Sequence, residues 1–208
     1  VLRRAAQRIG WGRALPPGHG LGIAAHFTFG GYAAHAMEMS ATADNYTIER
    51  CVCVVDVGRP INRSGIEAQM MGGTLDGIST AQNLEIRVDG GRVVEGNFDS
   101  YPLLRMAAAP DVEIEIIDSE RDPSGAGEMG IPTAAPALTN ALYAATGKRI
   151  RNLPIKADYN DPFIQQQLHK PGNFAISAIN PYYYDTLNYF STAADHYPGP
   201  PTAENWLG

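Results

Sequence analysis

Two long β-patterned runs near the beginning of the chain limit the folds that it can adopt. The first reads LGIAAHFTFGGYAAHAMEMSA, with a break at Gly30-Gly31, and the second, YTIERCVCVVDVG, follows the turn TADN. Apolar and β-branched runs bounded by turn residues are typical of strands. Further along, DVEIEII alternates Val112, Ile114 and Ile116 with glutamates, which predicts a half-buried strand.

Two helices are predicted between and after these strands. Ser64 and Glu67 have the spacing of a capping box, which would start one helix near Gly65. The run PTAAPALTNALYAATG has Pro132 near its first helical position and Gly147 after its last. NLEIRVDGGRVVEGNF has the pattern of a hairpin. Together these elements predict an α+β fold with mixed sheets and packed helices.

The composition is that of a globular protein, with 44% hydrophobic and 18% charged residues. The net charge of −6 gives no basic surface for nucleic acid, so no nucleic-acid partner is predicted. No apolar stretch reaches the roughly 18–20 residues that a membrane span needs. Cys51 and Cys53 share one strand face and are interpreted as buried small hydrophobic residues. Neither the cysteines nor the histidines have metal-site spacing, and no metal-ligating residue is predicted.

Both ends of the chain have a distinct character. The opening, VLRRAAQRIGWG, has no initiator Met and reads as the last turns of a helix that Gly10 ends. The chain is therefore expected to be a processed product, a split subunit or a fragment. Residues 157–208 hold 10 of the 18 aromatic residues and 6 of the 15 prolines. Such a segment is expected to lie extended on its own domain (1–156) or, as we favour, on a partner chain.

Glu128 is the first candidate for chemistry. It is a lone carboxylate in GAGEMGIP, between glycines that let a ligand approach the backbone closely. The predicted helix N-terminus just beyond it would favour an anion. In a dry pocket such a carboxylate can act as a general base. The alternative is an acidic residue that only caps the helix.

Gln69 is the second candidate. On the predicted helix it neighbours Gly72 and Gly73 on the next turn, which places an amide beside bare backbone. Glycine costs a helix about 1 kcal/mol relative to alanine, so the pair indicates either a ligand or close helix packing. Alone, the pattern favours packing.

Two other motifs have structural interpretations. In DVGRPIN, Asp56, Arg59 and Asn62 are expected to hold the loop through bonds from side chain to backbone. The motif GHGLG is placed before the first strand rather than between a strand and a helix, so it makes no dinucleotide-binding fingerprint. Its glycines are Gly18, Gly20 and Gly22.

Three stretches together resemble a known family. GAGEMGIPTAAPALTNALYAATGKRIRNLPI is similar to the C-terminal signature of the large subunit of molybdenum hydroxylases, the xanthine dehydrogenase and aldehyde oxidase family. DVGRPINRSGIEAQMMGG and GLGIAAHFTFGGYAAHAMEMS resemble the family's upstream segments. The closest type is the bacterial isoquinoline 1-oxidoreductase β-subunit, which includes aldehyde-oxidising members. The resemblance implies the C-terminal part of a molybdopterin-binding domain.

The resemblance also implies site residues and cofactors. Glu128 would be the base at the molybdenum, and Gln69 and Gly127 would contact the molybdopterin cofactor, in its cytosine dinucleotide form. The expected reaction is oxidation of an aldehyde to the carboxylic acid with oxygen from water. The alternatives are hydroxylation of an N-heteroaromatic compound by the same chemistry and a non-catalytic assembly role. Met129 stands where the family often has Pro, Met71 where it has Glu, and Arg63 where it has Pro.

Partners follow from the same resemblance. The chain would need a second chain with the rest of the large subunit and an iron–sulfur subunit with [2Fe–2S] clusters. It would also need an electron acceptor, either a cytochrome or a flavoprotein, and a small-molecule substrate. Relatives of this type are often exported, so a periplasmic location is expected, with the cytoplasm as the alternative.

Overall fold

The computed structural model describes residues 1–42 and 45–155. Its main sheet has four strands in the order β1-β2-β3-β6, in which β1, β2 and β3 are antiparallel neighbours and β6 runs parallel to β3. These strands are β1 (His19–Thr28), β2 (Gly31–Ala41), β3 (Tyr46–Asp56) and β6 (Val112–Ile116). The other elements are α1 (Leu2–Ile9), α2 (Arg63–Asn83), α3 (Ala134–Thr146), a 3₁₀ turn (Met106–Ala108) and a small hairpin of β4 (Val88–Asp89) and β5 (Arg92–Val93). The α+β prediction is confirmed.

Helices cover both faces of the sheet. On one face, α2 and α3 pack against a cluster that includes Met37 and Cys53. On the other face, Ala5 and Ile9 of α1 pack against a second cluster that includes Val52 and Val54. Because alternate residues of β2 and β3 enter different clusters, the centres of both strands are buried on both faces of the sheet. The prediction that both cysteines are buried is confirmed.

Helix α3 lies unusually close to β1. A Cβ on Gly20 would stand 2.4 Å from the Ala141 carbonyl oxygen, and one on Gly22 would stand 2.0 Å from that of Ala137. These glycines lie within β1, so their predicted place before the strand is wrong. Glycine is needed at both positions because the backbone of β1 contacts the backbone of α3, and any side chain would prevent that contact.

The beginning of α2 differs from the prediction. α2 begins at Arg63, and Asn62 is its N-cap, since the Asn62 Oδ1 accepts a hydrogen bond from the Gly65 N–H at 3.0 Å. Ser64 therefore lies inside the helix, and the capping box predicted for it and Glu67 is wrong. α3 begins at Ala134, two residues after Pro132, and its predicted end at Gly147 is confirmed, with φ of 73°.

The remaining elements follow the sequence patterns. The strand at 112–116 and the short hairpin are confirmed, and α1 ends at Gly10 with φ of 74°. Glu115 of β6 binds Arg4 and Arg8 of α1 at 2.7 and 2.6 Å, which ties α1 to the sheet. Among the described residues no helix combines the length and apolarity that crossing a membrane requires. The predicted extended segment, 157–208, lies outside the described residues.

Candidate functional site

The predicted site residues Gln69 and Gly127 are in direct contact. Gln69 lies on the second turn of α2 with its side chain exposed, and its Nε2 donates a hydrogen bond to the Gly127 carbonyl oxygen at 3.2 Å. The two residues are 58 positions apart in the chain. The fold thus brings the helix and the glycine-rich turn together at one surface.

Glu128 lies on that surface but not at a helix terminus. Its carbonyl oxygen accepts a hydrogen bond from the Ile131 N–H at 3.1 Å, and a second turn joins Ile131 to Ala134, where α3 begins. The influence of a helix terminus falls off within its first turn, so the predicted helix stabilisation of this carboxylate does not apply. Within residues 1–42 and 45–155 the exposed Glu128 carboxylate has no hydrogen-bond or ion-pair partner. The described part of the chain thus leaves this carboxylate open to a ligand.

The segment that carries Glu128 lies against α2 through glycines. A Cβ on Gly73 would meet the Gly130 Cα at 3.2 Å, and a Cβ on Gly130 would meet the Met70 carbonyl oxygen at 2.8 Å. Close packing therefore explains Gly73. It does not explain Gly72, which is exposed and has open space where a side chain would be. Packing among the described residues therefore does not account for the glycine at position 72. This glycine leaves the helix backbone uncovered beside Gln69.

Met129 does not line this surface. Its side chain is fully buried, and its Cε lies 3.1 Å from where a Cβ of Gly31 would stand on β2. The residue that stands where the family often has Pro therefore anchors the turn in the core. Burial of Met129 leaves the preceding residue, Glu128, on the outside.

A cleft of about 320 Å³ adjoins Gln69 at the N-terminal end of α2. Its lining includes Val57, Arg59, Ile61, Asn62, Gln69 and Ser124. The interpretation of DVGRPIN as a braced loop is confirmed for two of its three residues. Asn62 caps α2, and Asp56 accepts from the Gly58 N–H at 3.1 Å and pairs with Arg121 at 2.7 Å. Arg59 instead lines the cleft, a position that no sequence pattern predicted.

The side chains of Cys51, Cys53 and His35 are buried and are therefore not accessible to a ligand at the surface. Burial raises the pKa of the Cys53 thiol to about 12 and that of Cys51 further, so both stay protonated. His35 is fully buried between two threonine hydroxyl groups, contacts that sequence analysis missed because it considered histidines only as metal ligands. In the part of the chain that the structure describes, no group of three or more His, Cys, Asp or Glu residues is arranged to hold a metal.

Comparison with known proteins finds a cofactor-binding domain and several oxidoreductases of similar sequence. The family model of the molybdopterin cofactor-binding domain matches residues 14–110. Isoquinoline 1-oxidoreductase subunit beta of Brevundimonas diminuta is 29% identical over 75% of this chain and 21% of its own length. The aldehyde oxidoreductase molybdenum-binding subunit of Escherichia coli (strain K12) is 31% identical over 63% of this chain and 19% of its own length.

A solved structure shares the fold. Quinoline 2-oxidoreductase from Pseudomonas putida 86 aligns with a TM-score of 0.55 and 23% identity, over 68% of this chain and 19% of that one. The chain thus spans about a fifth of the length of the relatives that it matches. Residues 14–110 thus match a molybdopterin cofactor-binding domain, and homologues of the chain include aldehyde oxidoreductases and members of the xanthine dehydrogenase family.

Proposed function

We propose that this chain supplies the catalytic base and part of the cofactor pocket of a molybdenum hydroxylase that oxidises an aldehyde to the carboxylic acid. One observation carries the proposal. The hydrogen bond from Gln69 to the Gly127 carbonyl oxygen places an exposed amide beside the residue that precedes Glu128, whose carboxylate has no partner among the described residues. An amide that orients a ligand and a carboxylate that accepts a proton are the two polar functions that such a site needs.

The surface around this hydrogen bond fits a large polar cofactor. Among the described residues, a Cβ on Gly72 or Gly125 would meet nothing within 4 Å, and one on Gly127 would meet only the Gln69 amide, at 3.6 Å. Bare backbone of this kind lets a ligand come close to N–H and C=O groups. We infer that Gln69 and Gly127 contact molybdopterin, in its cytosine dinucleotide form. When bound, this cofactor supplies the metal that accepts two electrons from the substrate.

Glu128 has one task in this scheme. Its carboxylate accepts the proton of the water-derived oxygen that attacks the substrate carbon. A general base works best when bulk water is excluded around it. Glu128 is exposed in the described part of the chain, so the surface that shields it from water has to come from elsewhere. We propose that the rest of the large subunit supplies that surface. An iron–sulfur subunit and a cytochrome or flavoprotein would carry the electrons away.

Hydroxylation of an N-heteroaromatic compound is the second candidate activity. It is favoured by the similarity to isoquinoline 1-oxidoreductase subunit beta, which extends over 75% of this chain. Turnover of the purified complex with a panel of aldehydes and of N-heteroaromatic compounds distinguishes the two. Faster turnover of the heteroaromatic compounds would replace the aldehyde proposal but leave the roles of Gln69 and Glu128 intact.

Replacing Gln69 by Ala is expected to weaken cofactor retention without unfolding the domain. The variant loses one polar contact from an exposed position, and a hydrogen bond contributes about 1 kcal/mol, so retention should fall about fivefold. Molybdenum content per chain, measured beside thermal unfolding, checks this. Gln82→Ala, near the other end of α2, is the control. Wild-type molybdenum content and wild-type kinetics in Gln69→Ala would refute the cofactor contact.

Substitutions at Gly72 and Gly73 are expected to have different effects. The first should lower cofactor binding, and the second should lower the stability of the fold. Gly73→Ala places a Cβ 3.2 Å from the Gly130 Cα and should destabilise the domain. Gly72→Ala meets no neighbour and should stabilise α2 by up to about 1 kcal/mol. If bare helix backbone beside Gln69 receives the cofactor, Gly72→Ala should nevertheless lower molybdenum content. A stabilised Gly72→Ala variant with full molybdenum content and turnover would contradict this placement.

A further inference from the structure

His35 links the two segments that carry the candidate site residues. It lies in β2, and its Nε2 is 2.7 Å from Thr74 Oγ1 on α2, while its Nδ1 is 2.6 Å from Thr133 Oγ1 just before α3. Thr74 follows Gln69 by five residues, and Thr133 follows Glu128 by five. One buried ring therefore connects the helix of Gln69 to the turn of Glu128.

The hydrogen-bond network fixes which nitrogen carries the proton. The Thr74 hydroxyl donates to the Met70 carbonyl oxygen at 2.7 Å, so toward His35 its oxygen can only accept. His35 Nε2 therefore carries the hydrogen, and Nδ1 accepts from the Thr133 hydroxyl. Burial lowers the pKa of His35 to about 3, so the ring stays neutral near pH 7 and this pattern persists.

The His35 ring lies near other contacts between α2 and the turn that carries Glu128. The Gly73–Gly130 backbone contact lies beside Thr74, and the hydrogen bond from Gln69 to Gly127 lies one turn earlier on α2. Among these contacts only the one through Gln69 is exposed, and a bound cofactor would compete for its amide. The contact through His35 is inaccessible, since His35, Thr74 and Thr133 are 0%, 0% and 2% exposed. It can hold the turn whether or not a ligand is bound.

We propose that His35 is a positioning residue, whose neutral ring holds the 127–133 turn against α2 and thereby fixes Glu128 relative to Gln69. The inference rests on the proposed function for its effect on turnover, but the hold on the turn is independent of activity. A buried residue that only stabilised the core would affect all parts of the domain equally. A positioning residue should loosen one turn and lower kcat at nearly constant KM.

The test compares Thr133→Val, which removes the hydroxyl at nearly constant shape, with Thr133→Ser, which keeps it. Both are made in the full chain within its native complex. Amide hydrogen exchange is read at Ile131 and Ala134, whose N–H groups close the two turns, and at Ile117, which bonds to Val55 of β3. In Thr133→Val, exchange at the two turn amides should be about tenfold faster with Ile117 unchanged, and kcat should fall at constant KM and molybdenum content. Thr133→Ser should restore both.

A second pair tests the ring itself. His35→Leu removes both hydrogen bonds, whereas His35→Gln keeps one donor and one acceptor and should recover most of the lost turnover. Unchanged exchange at Ile131 and Ala134 in Thr133→Val, or equally faster exchange at all three amides, would overturn the positioning role. If exchange responds as expected while Glu128→Gln keeps full turnover, the proposed base is wrong and the hold on the turn stands.

Discussion

Glu128→Gln should lower kcat by about 10²- to 10⁴-fold, the usual contribution of a general base. The amide has nearly the same shape as the carboxylate but cannot accept a proton near neutral pH. The carboxylate has no partner among the described residues, so its replacement breaks no contact there. Molybdenum content and thermal stability of the complex should therefore stay at the wild-type level. Steady-state kinetics, metal analysis and thermal unfolding on one preparation measure all three quantities.

A nearby carboxylate provides the control for this substitution. Glu120 is also exposed and precedes the same turn, and Glu120→Gln should leave turnover unchanged. Wild-type kcat in Glu128→Gln would refute the base assignment. Loss of molybdenum in Glu128→Gln would instead show that the residue retains the cofactor, which also contradicts its role as a base alone.

Gly22→Ala should destabilise the fold more than any other single change considered. The added Cβ would lie 2.0 Å from the Ala137 carbonyl oxygen and 2.2 Å from the Ala141 nitrogen, both backbone atoms of α3. Backbone atoms of a helix cannot move individually, so α3 as a whole must shift away from β1. We expect a loss of about 3 kcal/mol or more and a melting temperature lower by about 6 °C or more. Because α3 follows the turn of Glu128, molybdenum content should fall as well.

Gly96→Ala is the matched control, since a Cβ there would meet nothing within 4 Å. It should leave the melting temperature of the complex within about 1 °C of the wild type. A stable, fully loaded Gly22→Ala variant would show that α3 does not lie on β1 at the distance described.

Local signals in the sequence were sufficient for most of the elements. Alternation and flanking turns identified the strands, and a glycine at each C-terminus identified the ends of α1 and α3. The beginning of α2 was missed because Asn62 and Ser64 are both good N-caps and local spacing favoured the wrong one. The glycines of β1 were misplaced because their reason lies in α3, more than a hundred residues away. Side-chain patterns do not report contacts between backbones.

For the candidate site, too, local sequence patterns predicted some features and missed others. Nearby glycines marked Gln69 and Glu128 as candidates, resemblance to a family supplied their expected roles, and the structure adds the contact of Gln69 with Gly127. The burial of Met129 could not be predicted, because a turn has no fixed side-chain period from which burial can be inferred. His35 was missed because its two partners lie 39 and 98 residues away in the chain, and no local pattern connects them.

The most direct test of the account is the molybdenum content of the native complex that contains this chain, purified with all its partner chains. We expect molybdenum equimolar with the chain, together with iron and a larger chain that supplies the rest of the large subunit. A complex without molybdenum, or this chain purified alone and metal-free from its native source, would contradict the proposal. The surface formed by Gln69, Gly127 and Glu128 would then serve no molybdenum cofactor.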